Sequence, residues 1–502
     1  MTPPSGMQHP VPQGLLRRSH VIQFLIMAAA TVLGLAGCIS LAPPYDTPPL
    51  PVALVYPEPA PVTSSATAPV VSLDDWRDYF SDTYLKNMIS QGLEHNRDLR
   101  TAILRVAEAR AAYGIQRSTQ FPAIGAGVSG SRSRTPGDLN LTGHALISND
   151  YQAGLDLGNW ELDFWGRVHD LKDAALENFL ATDDARRAFT MVLVEQIADG
   201  YLTLRELDER VALAQRTISS RQESFRIFKR RFEVGAISKL DLILVETLLT
   251  QAQALGAQLE QSRAAQAHLL TQLIGVSVES LSQEQHFDDA SLLQEPHVGL
   301  PSELLTARPD IVAAEHQLRA AHANIGAARA AFFPRVALTG NLGSASAELQ
   351  GLFQAGSGAW NFTPSLVAPI FDGGRNRAGL DLAEVRRDLA VANYEKTVQT
   401  AFREVSDALS ARLWLSEQVR IQQAALAAQN ERSRLAKLRY DNGASPYLEV
   451  LDAQRDLLVA EQQLVQTRRA LLSSKIRLYT ALGGGAAALS RTDISVHAGR
   501  ST

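Results

Sequence analysis

Apolar residues recur every seven positions along the last strongly patterned stretch of the chain, at Leu451, Leu458, Val465, Leu472 and Tyr479. A second apolar column runs one position ahead of the first, at Leu457, Leu464, Leu471 and Leu478. Heptad spacing is typical of long helices that pack along a seam, and two adjacent columns favour packing against more than one neighbour. A core-facing helix of an ordinary bundle would show the same columns. The length of the helices is therefore needed to distinguish such a bundle from a long helical seam.

Two predicted helices are far longer than a globular domain needs. They span about 167–234 and 375–442, and 68 residues at 1.5 Å per residue extend roughly 100 Å. An alanine-rich helical segment precedes each of them, at 84–119 and at 309–332. A Phe-Pro dipeptide ends each segment, because proline disfavours helix at the residue before it. A glycine turn and a shorter returning helix follow each long helix.

The same order of patterns occurs twice. Residues 230–243 read RRFEVGAISKLDLI, and residues 438–451 read LRYDNGASPYLEVL, at an offset of 208 residues. Upstream, DLRTAILRVAEARAAYGIQRSTQFP at 98–122 matches DIVAAEHQLRAAHANIGAARAAFFP at 310–334. Internal similarity over such distances indicates a duplication of one structural unit.

Each copy also contains two short segments in which apolar and polar residues alternate. They occupy 123–133 and 151–162 in the first copy, and 335–346 and 360–371 in the second. A strand of about 9–11 residues suffices to cross a bilayer. Four strands cannot close a barrel, and open strand edges are not tolerated in lipid. Membrane strands would therefore require several protomers to share one barrel, and these patterns leave dimer and trimer open.

The only cysteine, Cys38, lies directly after an apolar run. Arg17-Arg18 precedes the apolar stretch 21–35, and small residues follow it, which is the layout of a secretory signal. A single cysteine has no disulfide partner in the chain, and the alternative is a buried free thiol. Leu-Ala-Gly-Cys resembles the bacterial lipobox. That resemblance implies cleavage before Cys38 and its acylation, and Ile39 in place of an aspartate implies the outer membrane of a Gram-negative cell.

Composition and motifs narrow the functional classes. A net charge of −5 argues against a nucleic-acid partner, which requires a basic surface. No GxSxG, HExxH or GxxxxGK[ST] motif occurs, so no catalytic site is predicted. His316 and His322 are six residues apart and do not share a helix face, so no metal site is predicted either. The sequence therefore predicts neither an enzyme nor a cofactor.

These patterns divide the chain into six predicted segments. The proline-rich stretch 43–67 predicts an extended tether, and two stretches that break the helical pattern predict a peripheral layer. The predicted segments are a signal peptide 1–37, a lipid anchor and tether 38–75, a first repeat 76–275, a peripheral linker layer 276–308, a second repeat 309–483 and a C-terminal tail 484–502.

Several stretches resemble the TolC-like outer-membrane factor family. They are the lipobox at 35–38, WRDYF at 76–80, WELDFWGR at 160–167, PIFDGGR at 369–375 and YLEVLDAQR at 447–455. The lipobox places the chain nearest the NodT-type lipoprotein branch, which serves resistance-nodulation-division pumps. The resemblance implies a homotrimer whose strands form one shared outer-membrane β-barrel, above a long periplasmic α-helical barrel. It also implies a periplasmic adaptor and an inner-membrane pump as partners.

The glycine turns are the first candidate functional residues. Gly235-Ala236 and Gly443-Ala444 lie farthest from the predicted strands along each long helix. Small residues there permit close approach of another helical hairpin. We therefore expect these two turns to be the tips at which the adaptor docks.

A charged set after the second turn is the other candidate. Glu449, Asp452 and Arg455 are three residues apart on one helix face. An exposed ion pair there would contribute under about 1 kcal/mol. The family resemblance implies instead a gate that holds the periplasmic mouth closed. In the first copy Asp241 corresponds to Glu449, whereas Leu244 and Thr247 occupy the positions of Asp452 and Arg455.

Three functions remain in competition. The favoured one is a passive channel for small molecules delivered by an inner-membrane pump. The alternatives are the outer-membrane duct of a type I protein secretion system and a periplasmic coiled-coil lipoprotein without a pore. A periplasmic scaffold does not require membrane strands, so the two strand pairs favour a channel over a scaffold.

Overall fold

The computed structural model describes residues 40–57, 75–277 and 304–484. Within these ranges there are nine α-helices and one four-stranded antiparallel sheet. The helices are α1 (Trp76–Tyr79), α2 (Thr83–His95), α3 (Arg97–Ser118), α4 (Arg167–Glu233), α5 (Lys239–Ile274), α6 (Leu304–Ala307), α7 (Pro309–Ala330), α8 (Arg375–Asp441) and α9 (Tyr447–Ala481). The strands are β1 (Ile124–Thr135), β2 (Leu146–Leu162), β3 (Arg335–Ser346) and β4 (Gly358–Val367). The predicted fold class, mostly helical with a small β part, is confirmed.

The described elements fall into two compact units. The unit with the sheet takes in residues 40–46, 111–176 and 319–388, and the other takes in the remaining helical segments. Helices α4 and α8 contribute residues to both units.

The long helices match their predicted lengths. Both α4 and α8 contain 67 residues, and the returning helices α5 and α9 contain 36 and 35. All five members of the first heptad column on α9 are at most 8% exposed, so the column is a packing seam. Among the described helices, none has a segment that is long and apolar enough to span a lipid bilayer.

The first alanine-rich segment is two helices, so the prediction of one helix over 84–119 was wrong. The break lies at Asn96, which is 5% exposed. Its Oδ1 accepts the Leu99 N–H at 2.7 Å, and its Nδ2 donates to Leu273 O at 2.8 Å. An asparagine that satisfies the first turn of the next helix ends the preceding one, because its side chain replaces a backbone partner.

The sheet is a simple meander with strand order β1-β2-β3-β4, and every neighbouring pair is antiparallel. The register of β2 against β3 shifts between Leu157 and Trp160. Strand β2 begins at Leu146, five residues before its predicted start, and β4 ends at Val367, four residues before its predicted end.

The helical unit contains two large apolar cores, and α9 contributes side chains to both. In the first core the ring of Tyr79 stacks on that of Tyr479, with centroids 3.9 Å apart, and its hydroxyl donates to Lys475 O at 2.9 Å. The second core contains Tyr394, Val398 and neighbouring apolar residues of α8 and α9. Each large apolar side chain that is fully buried there stabilises the fold by roughly 1.5–3 kcal/mol.

Residues 40–57, which fall in the predicted tether, contain no helix or strand. They nevertheless pack against the two units. Within the sheet unit, Ser40 Oγ donates to Asp170 Oδ1 at 2.7 Å, and Tyr45 meets the ring of His322 edge-on at 5.4 Å. Within the helical unit, Tyr56 stacks on Phe402 with ring centroids 5.2 Å apart. The described part of the predicted tether is therefore held against the helices, and residues 58–67 of that stretch lie outside the described residues.

Candidate functional site

Both long helices end in the same glycine turn. After α4, Gly235 has φ +74°; its N–H donates to Phe232 O at 2.9 Å, and the Ala236 N–H donates to Arg231 O at 2.8 Å. Gly443 repeats this geometry after α8 with φ +71° and N–H···O distances of 2.9 and 2.8 Å. This pair of bonds is the Schellman motif, whose left-handed position favours glycine because it lacks a Cβ.

The two turns lead into their returning helices differently. Ser238 caps α5: its Oγ accepts the Asp241 N–H at 3.2 Å, and the Asp241 carboxylate accepts the Ser238 N–H at 3.2 Å. In the second copy Pro446 occupies the cap position and makes no side-chain cap bond. Asp241 is therefore used for capping, whereas its counterpart Glu449 is available for another partner.

The three candidate gate residues form three ion pairs in two separate groups. Glu449 accepts from Arg439 Nη1 at 2.9 Å, which joins the end of α8 to the start of α9. Arg455 lies 3.2 Å from Asp452 and 3.1 Å from Asp456. The side chains of the Arg439–Glu449 and Arg455–Asp452 pairs are 40–57% exposed, so each pair contributes about 0.2–1 kcal/mol.

Arg439 and Asp456 were not among the candidate residues predicted from the sequence. The available signals were a basic residue in the last turn of α8 and an acidic residue directly after Arg455. Neither signal identifies a partner, because helix surfaces commonly carry such charges.

An aromatic cluster joins the helical hairpin α4–α5 to the hairpin α8–α9. The ring of Tyr447 lies 4.5 Å from that of Phe228 and 4.8 Å from that of Tyr440, between centroids. Its hydroxyl is 2.7 Å from Ser224 Oγ, and the Arg231 guanidinium donates to the Tyr440 hydroxyl. These ring contacts and hydrogen bonds connect the two hairpins near their turns.

The two histidines do not come together at one site. Nδ1 of His316 lies 2.5 Å from a Glu177 oxygen, and Nε2 lies 3.6 Å from Asp184. His322 packs against Tyr45 in the sheet unit, and burial lowers the pKa of its imidazole. Each histidine has its own local partners.

The sheet has one apolar and one polar face. One row of residues in register across the four strands is Ala126, Leu155, Leu342 and Trp360. The adjacent row, which alternation places on the opposite face, is Gly125, Asp156, Asn341 and Asn361. The leucines and tryptophan of the first row are 51–76% exposed, while Asn341 Nδ2 donates to Asp156 Oδ1 at 2.7 Å on the second. Exposed apolar residues opposite polar ones are the pattern of strands between lipid and a wet lumen.

The outer strands each have a free edge in the described part of the chain. Strand β1 pairs only with β2, and β4 pairs only with β3. Unpaired backbone groups cost several kcal/mol each in hydrocarbon, so a sheet in lipid needs further strands beside both edges.

Comparison with known proteins agrees with this geometry. The family model described as "Outer membrane efflux protein" matches residues 88–276 and 300–484. The chain belongs to this family. It is 41% identical over 462 residues to the toluene efflux pump outer membrane protein TtgC of Pseudomonas putida, covering 92% of this chain and 95% of that protein. The antibiotic efflux pump outer membrane protein ArpC of Pseudomonas putida gives the same identity and coverage.

A solved structure supports the same assignment. The open state of the Neisseria gonorrhoeae MtrE outer membrane channel superposes with a TM-score of 0.80 at 35% identity, covering 90% of this chain and all of that one. The family resemblance inferred from the sequence is confirmed. The predicted function of an efflux channel in the outer membrane is confirmed with it. The roles of the turns and of the charged set remain predictions, and Cys38 lies outside the described residues.

Proposed function

We propose that this outer membrane efflux protein works as a homotrimer that conducts small molecules passively out of the cell. The two-faced sheet with open edges carries the proposal, because further copies of the same sheet would pair both edges and close a barrel. Three copies would supply twelve strands, enough for a wet lumen. The names of TtgC and ArpC support small molecules such as toluene and antibiotics as substrates.

In this proposal an inner-membrane pump supplies the driving force and a periplasmic adaptor bridges pump and channel. The adaptor would dock at the turns Gly235-Ala236 and Gly443-Ala444. A Cβ built on Gly235 or Gly443 meets no atom within 4 Å, so both turns are open to a partner. The aromatic cluster around Tyr447 would transmit docking at either turn to the other hairpin.

The proposed gate consists of Glu449, Asp452 and Arg455 near the second turn. A threefold axis would repeat each residue as a ring, which concentrates charge at a constriction. Across that axis Asp452 and Arg455 would face the same residues of neighbouring protomers, and these contacts would hold α9 in its closed position. The Arg439–Glu449 pair would connect that helix to the docking turn.

Replacing both turn glycines with tryptophan is expected to abolish drug resistance while leaving assembly intact. Left-handed backbone at a non-glycine residue costs about 1–2 kcal/mol, which a buried helical core tolerates. The bulky side chains would project into the surface where the adaptor is proposed to dock. Minimum inhibitory concentrations in an efflux-deficient host, with native mass spectrometry of the purified protein, measure the two effects separately.

Gly143, in the turn between β1 and β2, provides a matched control. It also has positive φ, at +70°, and a Cβ there also meets nothing within 4 Å. Gly143→Trp therefore carries the same backbone cost at a residue that is not part of the proposed docking surface, and it should preserve resistance. Survival of resistance in the double tip variant would place docking elsewhere.

A second test concerns the lipid anchor. We expect the mature protein to begin at an acylated Cys38, because the basic patch, apolar run and lipobox occur in that order. Acyl chains bind membrane with about 0.8 kcal/mol per buried CH₂, so several chains give a stable anchor. Mass spectrometry of the mature N-terminus should find the lipid, whereas an unmodified peptide running through Gly37-Cys38 would disprove the assignment.

A further inference from the structure

A polar cavity of about 250 Å³ lies among α4, α8 and α9, and none of the roles proposed above uses it. Its polar lining residues are Arg216, Thr217, Ser220 and Arg221 of α4, Ser433 of α8, and Gln454 and Glu461 of α9. All of them belong to the helical unit. The cavity is large enough for several water molecules or for a small ion with part of its hydration.

The unusual member of this lining is Arg221. It is only 4% exposed, and it forms no ion pair with any described carboxylate. Its Nη1 donates to Leu248 O at 2.6 Å, whereas its buried Nε has no hydrogen-bond partner. Burying a charge without a counterion costs several kcal/mol, so buried arginines are normally paired.

The neighbouring charges increase the need for an anion. Burial and the nearby Arg455 guanidinium lower the pKa of Arg221, which reports repulsion between the two cations. Arg216 adds a second cation to the lining. The one acidic residue of the lining is Glu461, and burial raises the pKa of its carboxyl group.

We propose that this cavity binds a small tetrahedral oxyanion, such as sulfate or inorganic phosphate, on the guanidinium of Arg221. A planar guanidinium offers Nε and one Nη along a single edge, which matches two oxygens of an oxyanion. The hydroxyls of Ser220 and Ser433 and the amide of Gln454 supply further hydrogen-bond donors around the same space. The bound anion neutralises the buried cation and separates it electrostatically from Arg455.

Equilibrium dialysis of radiolabelled sulfate against the purified full-length protein in detergent tests this site. Sodium chloride keeps the ionic strength constant, so non-specific charge effects are equal in every sample. The wild-type protein should bind sulfate saturably. Arg221→Gln should weaken binding by about tenfold or more, because a charged hydrogen-bonding partner is lost. Glu461→Gln should tighten it several-fold, because the competing carboxylate is removed.

Arg226→Gln is the matched control. Arg226 lies on the same helix, is 71% exposed and pairs with Glu223 at 2.6 Å, so its loss should leave sulfate affinity unchanged. Absence of saturable binding to the wild type, or equal affinity of the Arg221→Gln variant, overturns the proposal. If Arg221→Gln fails to fold, Glu461→Gln decides alone, and an unchanged affinity in that variant overturns the proposal as well.

Discussion

Replacing Asp452 and Arg455 together with alanine is expected to raise the conductance of the purified channel in planar bilayers by about tenfold. The two side chains form a pair 3.2 Å apart on α9, and a homotrimer would contain three such pairs. In the proposed closed state each pair also faces a neighbouring protomer, and at about 0.5 kcal/mol for each such contact, losing all three shifts the closed–open equilibrium by about 1.5 kcal/mol, or roughly tenfold. The bilayer contains neither pump nor adaptor, so any opening comes from the channel itself.

The pair Glu417–Arg420 on α8 supplies the control for this experiment. It has the same three-residue spacing, a separation of 2.6 Å and comparable exposure, but it is not part of the proposed gate. Changing both of its residues to alanine should leave conductance at the wild-type level. If the gate variant also conducts like wild type in a correctly assembled oligomer, Asp452 and Arg455 are ordinary surface charges.

The lengths of the long helices could be predicted from the sequence because local rules decide them, whereas the ends of β2 and β4 were four or five residues from their predicted positions. The heptad columns of α9 and the duplicated glycines bound the helices to within a residue or two. The break at Asn96 could not be predicted in the same way. Its Oδ1 caps the next helix locally, but its amide also donates to Leu273 O, far away in sequence, and that contact depends on tertiary packing.

The candidate site likewise has parts that could be predicted from the sequence and parts that could not. The turns at Gly235 and Gly443 follow from glycine alone, since a left-handed residue is required there. The ion-pair partner across the second turn could not be predicted in this way. Glu449 pairs with Arg439 because Pro446 gives it no capping role. The spacing of residues along one face of α9 does not identify a partner on α8. Arg221 could not be predicted either, since burial of an unpaired cation depends on how three helices pack.

Placing a lysine on the apolar face of the sheet is expected to prevent assembly in the membrane. Phe362 lies in the middle of β4, opposite Gly340 of β3, and is 59% exposed. A lysine facing lipid near the bilayer midplane costs about 2–4 kcal/mol, and a homotrimer would incur that cost three times. The total is comparable to the whole stability of a typical domain. Phe362→Lys should therefore be lost from the outer-membrane fraction on native gels.

The neighbouring residue separates this effect from a general intolerance of charge in β4. Thr363 alternates onto the polar face, where its Oγ1 donates to Asn361 Oδ1 at 2.8 Å. Thr363→Lys loses that bond, worth about 1 kcal/mol, but its ammonium group meets the water of the proposed lumen. This variant should assemble like wild type in the same fractions. Equal assembly of both variants would mean that the apolar face does not contact lipid, and equal loss of both would mean that strand β4 tolerates no charge on either face.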